Sequence, residues 1–183
     1  MQHKILAILA LSIGAAAFPL TTVAAGAPAP LCKPTARALK GEVATARNIK
    51  TVQEIYAAFG QGNAPAILTC IAPAAHWEDW ADNSAQRAGV PWLKPQSGPE
   101  GVAAFFAYVA KWKVNRFAVK NVMGAGANVA AEVEVDFDVT QTGGHYKDQE
   151  MHYWTFDEHG MIVGLRHYVD TAKHIAASKG ARD

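Results

Sequence analysis

Residues 129–140 alternate with a period of two that only a half-buried strand accommodates. Val133, Val135, Phe137 and Val139 fall on one face, and Glu132, Glu134, Asp136 and Asp138 on the other. A helix would spread both sets around its whole circumference. The stretch therefore demands a sheet with one apolar face and an apolar layer to cover it. The acidic face reads as a solvated or subunit-facing surface, so a homodimer through the sheet is one expected partner. Further strands are expected at 114–123, 146–156 and 161–168, with turns at Gly124-Ala125-Gly126, Gly143-Gly144 and Asp157-Glu158-His159-Gly160.

Upstream the period becomes helical. Ile49, Val52, Ile55, Tyr56 and Phe59 predict a helix from Thr45, ended by Gly60, Gly62 and Asn63. Pro65 suits the first turn of a shorter helix with Ile67, Leu68 and Ile71 inward, which Pro73 stops. Residues 75–80 read as a short strand and 83–97 as a long loop. Gly98-Pro99-Glu100 opens a third helix whose apolar stripe is Val102, Phe105, Phe106, Val109 and Trp112. Asp170 can cap a final helix from Thr171 to about Ser178. Helices first and an antiparallel sheet afterwards means α+β. The domain is expected at 45–178, followed by a tail at 179–183.

The N-terminus reads as a signal peptide over 1–25: Lys4, then an apolar run from Ile5 to Phe18, then small residues up to Ala25. The run is short for a membrane span. After cleavage near Ala25 the protein is expected to be secreted or periplasmic, with no membrane attachment. Residues 26–44 would form a flexible Pro/Ala-rich leader. An oxidising compartment favours a disulfide between Cys32 and Cys70, with a loose Cys32 and a buried free Cys70 as the alternative.

Composition narrows function further. The formal charge is +1, and losing Lys4 makes the mature chain neutral. That leaves no electrostatic footprint for nucleic acid. There is no phosphate-loop GKS/GKT, no HExxH and no CxxC. The mature histidines (76, 145, 152, 159, 167, 174) lack a ligand spacing on one element, so no metal and no cofactor are expected. Neutrality suits an uncharged, hydrophobic ligand.

Three stretches carry a resemblance. They are Ile55-Tyr56-Ala57-Ala58-Phe59 with Gly62-Asn63, then Val90-Pro91-Trp92 with Gly98-Pro99-Glu100-Gly101-Val102, then Trp154-Thr155-Phe156 with Gly160-Met161-Ile162-Val163 and Arg166-His167-Tyr168. In this order they resemble the SnoaL-like members of the nuclear transport factor 2-like superfamily. The resemblance implies a cone: three N-terminal helices packed on a curled, mainly antiparallel sheet that encloses an apolar pocket. The superfamily hosts ketosteroid isomerases, polyketide cyclases, dehydratases and limonene-epoxide hydrolases, so fold alone does not settle function.

The same resemblance nominates catalytic residues. Asp79, after Glu78, stands where ketosteroid isomerases hold their catalytic aspartate. Flanked by Trp77 and Trp80, it would be partly desolvated and so a stronger base. His152 falls where the isomerases hold a protonated aspartic acid that donates to the substrate oxyanion; a histidine can donate likewise. It shares a strand face with Glu150 and Trp154. The isomerases' tyrosine falls at Ile55, with Tyr56 one position along. His167, before Tyr168, stands where the epoxide hydrolases hold their water-activating aspartate, and is expected as an auxiliary acid or base. Tyr56, Trp77, Phe106, Val135 and Phe137 are expected to line the pocket with Trp154 and Leu165, while Trp80 and Trp92 close its mouth. The expected ligand is a small apolar or aromatic molecule. The expected activity is cofactor-free acid–base chemistry of isomerase, cyclase or dehydratase type. The alternatives are a non-catalytic periplasmic ligand-binding protein and an epoxide hydrolase-like enzyme.

Overall fold

Apolar spacing builds the covering layer first. In the computed structural model, which describes residues 29–182, helix α1 runs over Gly41–Gly60. It buries Ala44, Asn48, Thr51, Val52, Ile55 and Ala58, steps of one, three and four that make one stripe. Helix α2 (Ala64–Leu68) follows, capped by Asn63 Oδ1, which accepts from Ala66 N at 3.2 Å. Then come β1 (Ile71–Trp77), one-turn α3 (Ser84–Arg87), a 3-10 turn at Pro91–Leu93, β2 (Gln96–Ser97) and α4 (Gly98–Val109). The strands β3 (Lys113–Ala125), β4 (Asn128–Val139), β5 (Gly144–Phe156) and β6 (Ile162–Tyr168) precede α5 (Thr171–Ser178). The signal peptide expected over 1–25 lies outside the described residues.

The six strands order as β2-β1-β6-β5-β4-β3. All pairings are antiparallel except β1 with β6. The architecture is the expected α+β cone, helices against one face of a curled sheet, with α3 as an additional one-turn helix. The alternation in β4 holds without a break: Val133 and Val139 are fully buried, and the acids between them face out. Burying such a side chain stabilises by about 1.5–3 kcal/mol, so this face anchors the register. The turn after β3 is fastened to α1: Gly126 N donates to Thr45 Oγ1 at 2.8 Å, and Asn48 Nδ2 donates to Gly126 O at 2.9 Å.

Several boundaries differ from expectation, and α1 begins at Gly41, inside the expected leader 26–44. Strand β1 occupies 71–77 rather than 75–80. Pro73 does not end a helix; it sits in the irregular stretch of β1 between Ile71 and His76, where the pairing with β6 shifts register and a missing N–H costs no ladder bond. Gly98 packs against this stretch at φ +62°, and a Cβ there would lie 2.7 Å from Pro73 O. The leader is tied down along 31–39. Cys32 and Cys70 form a disulfide with Cα atoms 4.8 Å apart. Thr35 N donates to His159 O at 3.0 Å, and Leu39 N to Glu158 O at 2.7 Å. The turn at 157–160 thus supplies the acceptors that a loose segment would lack. Asp170 caps α5 as expected, its Oδ1 accepting from Ala172 N at 3.1 Å.

Candidate functional site

The inward residues of β4, β5 and β6 face α1 and α4 across a cavity of about 80 Å³. Its wall is mostly aromatic, with Trp77, Phe105 and Phe106 on one side and Phe117, Phe137 and Trp154 on the other. Period-two geometry brings His152 and His167 together, since they are direct partners across β5 and β6. Their rings meet edge to face with centroids 4.3 Å apart.

Behind His167 stands a carboxylate. Glu78 is fully buried and, at φ +57°, is the one non-glycine residue with positive φ among the described residues. This backbone state is uncommon for a side-chain-bearing residue. It is held by Glu78 N donating to Leu165 O at 2.8 Å and by Gln86 Nε2 donating to Glu78 O at 2.6 Å. The side chain is equally committed. Oε2 accepts from Trp80 Nε1 at 2.9 Å, and Oε1 accepts from His167 N at 3.2 Å and from His167 Nδ1. With Nδ1–H donating to Glu78, the neutral ring presents Nε2 as an acceptor. Nε2 has no protein partner among the described residues, while the His167 ring lines the cavity and stacks at 5.8 Å on Phe105. Burial opposes charging His167, but the Glu78 charge and hydrogen bond outweigh it and raise its pKa above 6.5.

His152 is wired differently. Trp154 Nε1 donates to Tyr56 Oη at 3.2 Å, Tyr56 O–H donates to His152 Nδ1 at 2.9 Å, and His152 Nε2–H donates to Glu150 Oε2 at 3.0 Å. This order is the one that satisfies every group, because indole only donates and carboxylate only accepts. Burial and the neighbouring His167 push the His152 pKa down to about 4, against the pull of Glu150. Burial acts on Glu150 in the opposite sense to its partners. The His152 hydrogen bond and the nearby His174 ring prevail and hold its carboxyl well below the usual range. Burial also raises the Tyr56 hydroxyl, so Tyr56 keeps its proton.

The far oxygen of Glu150 lies 3.3 Å from His174 Nε2, and Asp148 Oδ2 lies 3.5 Å from the same nitrogen. These three residues offer ligand atoms within 4.8 Å of one another, as a metal site would. The other ring nitrogen argues for a different role. His174 Nδ1 accepts from Trp92 Nε1 at 2.8 Å, and an indole cannot accept in return. Nε2 of the neutral ring must then carry the proton, which occupies the lone pair a metal needs. The trio suits a buried polar support for Glu150, held at ion-pair distance from His174.

Several expected site residues lie elsewhere. Asp79 is not in the cavity: its side chain is 61% exposed and sits 3.6 Å from His76 Nδ1. In a regular strand, residues 77 and 79 would share a face. The left-handed turn at Glu78 breaks that parity, buries Glu78 and swings Asp79 outward. Trp80 is also outside, its ring between Arg166 at 5.6 Å and Tyr168 at 4.8 Å, and it does not close the mouth. Trp92 is buried in the inner wall, where it holds His174. Val135 packs in the core and does not line the cavity, whereas Tyr56, Trp77, Phe106, Phe137, Trp154 and Leu165 do. His152 lines it too, but both of its nitrogens are spent on protein partners, which removes the donor expected for an oxyanion. Glu150, Asp148 and His174 were missed as a unit. The even-numbered face of β5 already put the two acids beside His152, while the approach of α5 carried no sequence signal. No sequence signal marked the flip at Glu78 either.

The SnoaL-like domain family matches residues 52–165. No curated protein gives a significant sequence match. Among solved structures, an NTF2-like protein from Burkholderia xenovorans LB400 aligns at 19% identity and TM-score 0.60, covering 73% of this chain and 97% of its own. A candidate SnoaL-like polyketide cyclase from Jannaschia sp. CCS1 aligns at 16% and 0.56, covering 74% and 94%. An LEH-like epoxide hydrolase from M. tuberculosis aligns at 13% and 0.54, covering 73% and 90%. At these identities the likeness is one of fold.

Proposed function

This chain belongs to the SnoaL-like domain family, and on that footing we propose that it is a cofactor-free acid–base enzyme in which His167 moves a proton on a small carbonyl compound. One observation carries the proposal: His167 Nδ1 is fixed by buried Glu78, while its ring lines an aromatic cavity and its Nε2 is unpartnered among the described residues. Neutral Nε2 takes a proton from the carbon next to the carbonyl, and the C–H electron pair passes into an enolate. The imidazolium so formed is stabilised by the Glu78 carboxylate. The same nitrogen returns the proton at a conjugated carbon for isomerisation, or to a leaving hydroxyl for dehydration. Glu78 does not border the cavity and is a positioning residue. Export is part of the proposal, and the Cys32–Cys70 disulfide supports it, since such bonds persist in oxidising compartments.

The test is the conversion of 4-penten-2-one to conjugated 3-penten-2-one, followed by ultraviolet absorbance. Wild type and Asp79→Asn are expected to accelerate it, and His167→Gln to lose at least about 100-fold, the usual contribution of a general base. An undiminished rate in His167→Gln would overturn the assignment. A binding-only role is the second reading, favoured by the full pairing of His152 and Tyr56 within the protein. It predicts ligand capture with no turnover in any variant.

A further inference from the structure

The cavity that holds His167 is small. Its volume of about 80 Å³ is about half that of an engineered cavity that admits benzene. Only the reacting end of a substrate fits inside. The wall does not end there, however. Tyr56, Phe59, Phe106, Trp112, Val114 and Phe117 border both the cavity and an outer groove of about 700 Å³ between α1 and β3. The rings of Phe59 and Phe117 border both spaces and pack against each other with centroids 5.0 Å apart, which closes the junction between them.

The groove is open because one of its sides is built from small residues. Ala57, Gly60, Gly62 and Ala64 line the helical side. Val114 and Val119 line the strand side and are 51% and 39% exposed. Val114 pairs with Phe137 and Val119 with Val133, so both belong to the sheet's apolar face. They are exposed because the helices do not extend over this edge. From Val114 to Val119 the strand runs about 16 Å. Asn115 and Arg116 add polar side chains at the strand side.

We propose that this groove seats an unbranched aliphatic tail of the substrate, whose carbonyl end reaches His167 when the Phe59 and Phe117 rings swing apart. The inference rests on the proposed acid–base pocket and adds the substrate class: a ketone carrying a long apolar chain. Continuity of the two apolar walls carries it, together with a cavity too small for the whole molecule.

Binding of 2-alkanones from 2-pentanone to 2-undecanone tests it, read by quenching of the cavity tryptophans. Each added methylene is expected to tighten binding about three- to fourfold, as for a CH₂ moved out of water. Ala57→Glu and Val119→Glu change exposed positions, and circular dichroism checks that both fold. In each, the gain per methylene is expected to fall below twofold. A flat series in wild type with measurable 2-pentanone binding overturns the groove and leaves the pocket reading intact. An unchanged slope in both variants likewise overturns the groove. If no ketone of any length binds, the pocket reading fails and takes the groove with it. Sedimentation of wild type and Val119→Glu is expected to give the same mass. A dimer that the substitution dissociates would assign the groove to a second copy and overturn the proposal.

Discussion

Replacing Glu78 by Gln removes one charge from a fully buried side chain while keeping its shape. The carboxylate accepts from Trp80 Nε1 on one oxygen and from His167 N and Nδ1 on the other. The amide oxygen can serve only one side. It keeps His167, which offers two donors, and turns the NH₂ toward the indole N–H. One hydrogen bond becomes a donor–donor contact, and the other two lose their ionic strengthening. Hydrogen bonds to a charged group are each worth about 1.5–3 kcal/mol, so a net loss of about 2 kcal/mol is expected. For a domain of this size that corresponds to a fall in Tm of about 4–8 °C. The loss also has a pH signature. His167 is raised above its unfolded value, so its contribution is complete below about pH 6.5 and disappears as pH rises through the folded pKa. The Tm gap between wild type and Glu78→Gln should therefore be wider at pH 5.5 than at pH 9. NMR titration of the His167 ring should show its pKa dropping below 6.5 in the variant, because burial then acts without opposition. The rising limb of kcat/KM should move to lower pH with it. An unmoved His167 titration, or a Tm gap independent of pH, would refute the dyad.

Trp92→Phe leaves His174 Nδ1 buried without its donor; a loss of about 1–3 kcal/mol is expected in the urea midpoint. Cys32→Ala opens a link spanning 38 residues, which the chain-entropy treatment values at about 4 kcal/mol. Thermal unfolding under non-reducing conditions measures it, and reduction of wild type should reproduce the variant.

The sheet was legible because β4 and β5 carry one polarity per face. The alternation along the sequence places Phe137, His152 and Trp154 inward, and parity on β6 does the same for His167. The first helix was legible for the same reason at a different period. Asp79 misled because strand parity assumes an unbroken strand. One left-handed residue exchanges the faces of Glu78 and Asp79, and glutamate is not a residue that announces such a turn. Pro73 misled because a proline inside a strand is tolerated only at an irregularity, which depends on how a distant strand pairs. The role of Trp92 depended on α5, 82 residues away in sequence, and a contact of that range leaves no local pattern.

That last contact bears on the order in which the molecule is made. Glu150 is 6% exposed and has His174 as its second partner. Until α5 emerges from the ribosome, this carboxylate is half-paired in an apolar setting, which makes the closed pocket costly. The pocket floor is therefore completed only once α5, the last element in chain order among the described residues, has docked. A chain in which α5 has not yet docked leaves this pocket open.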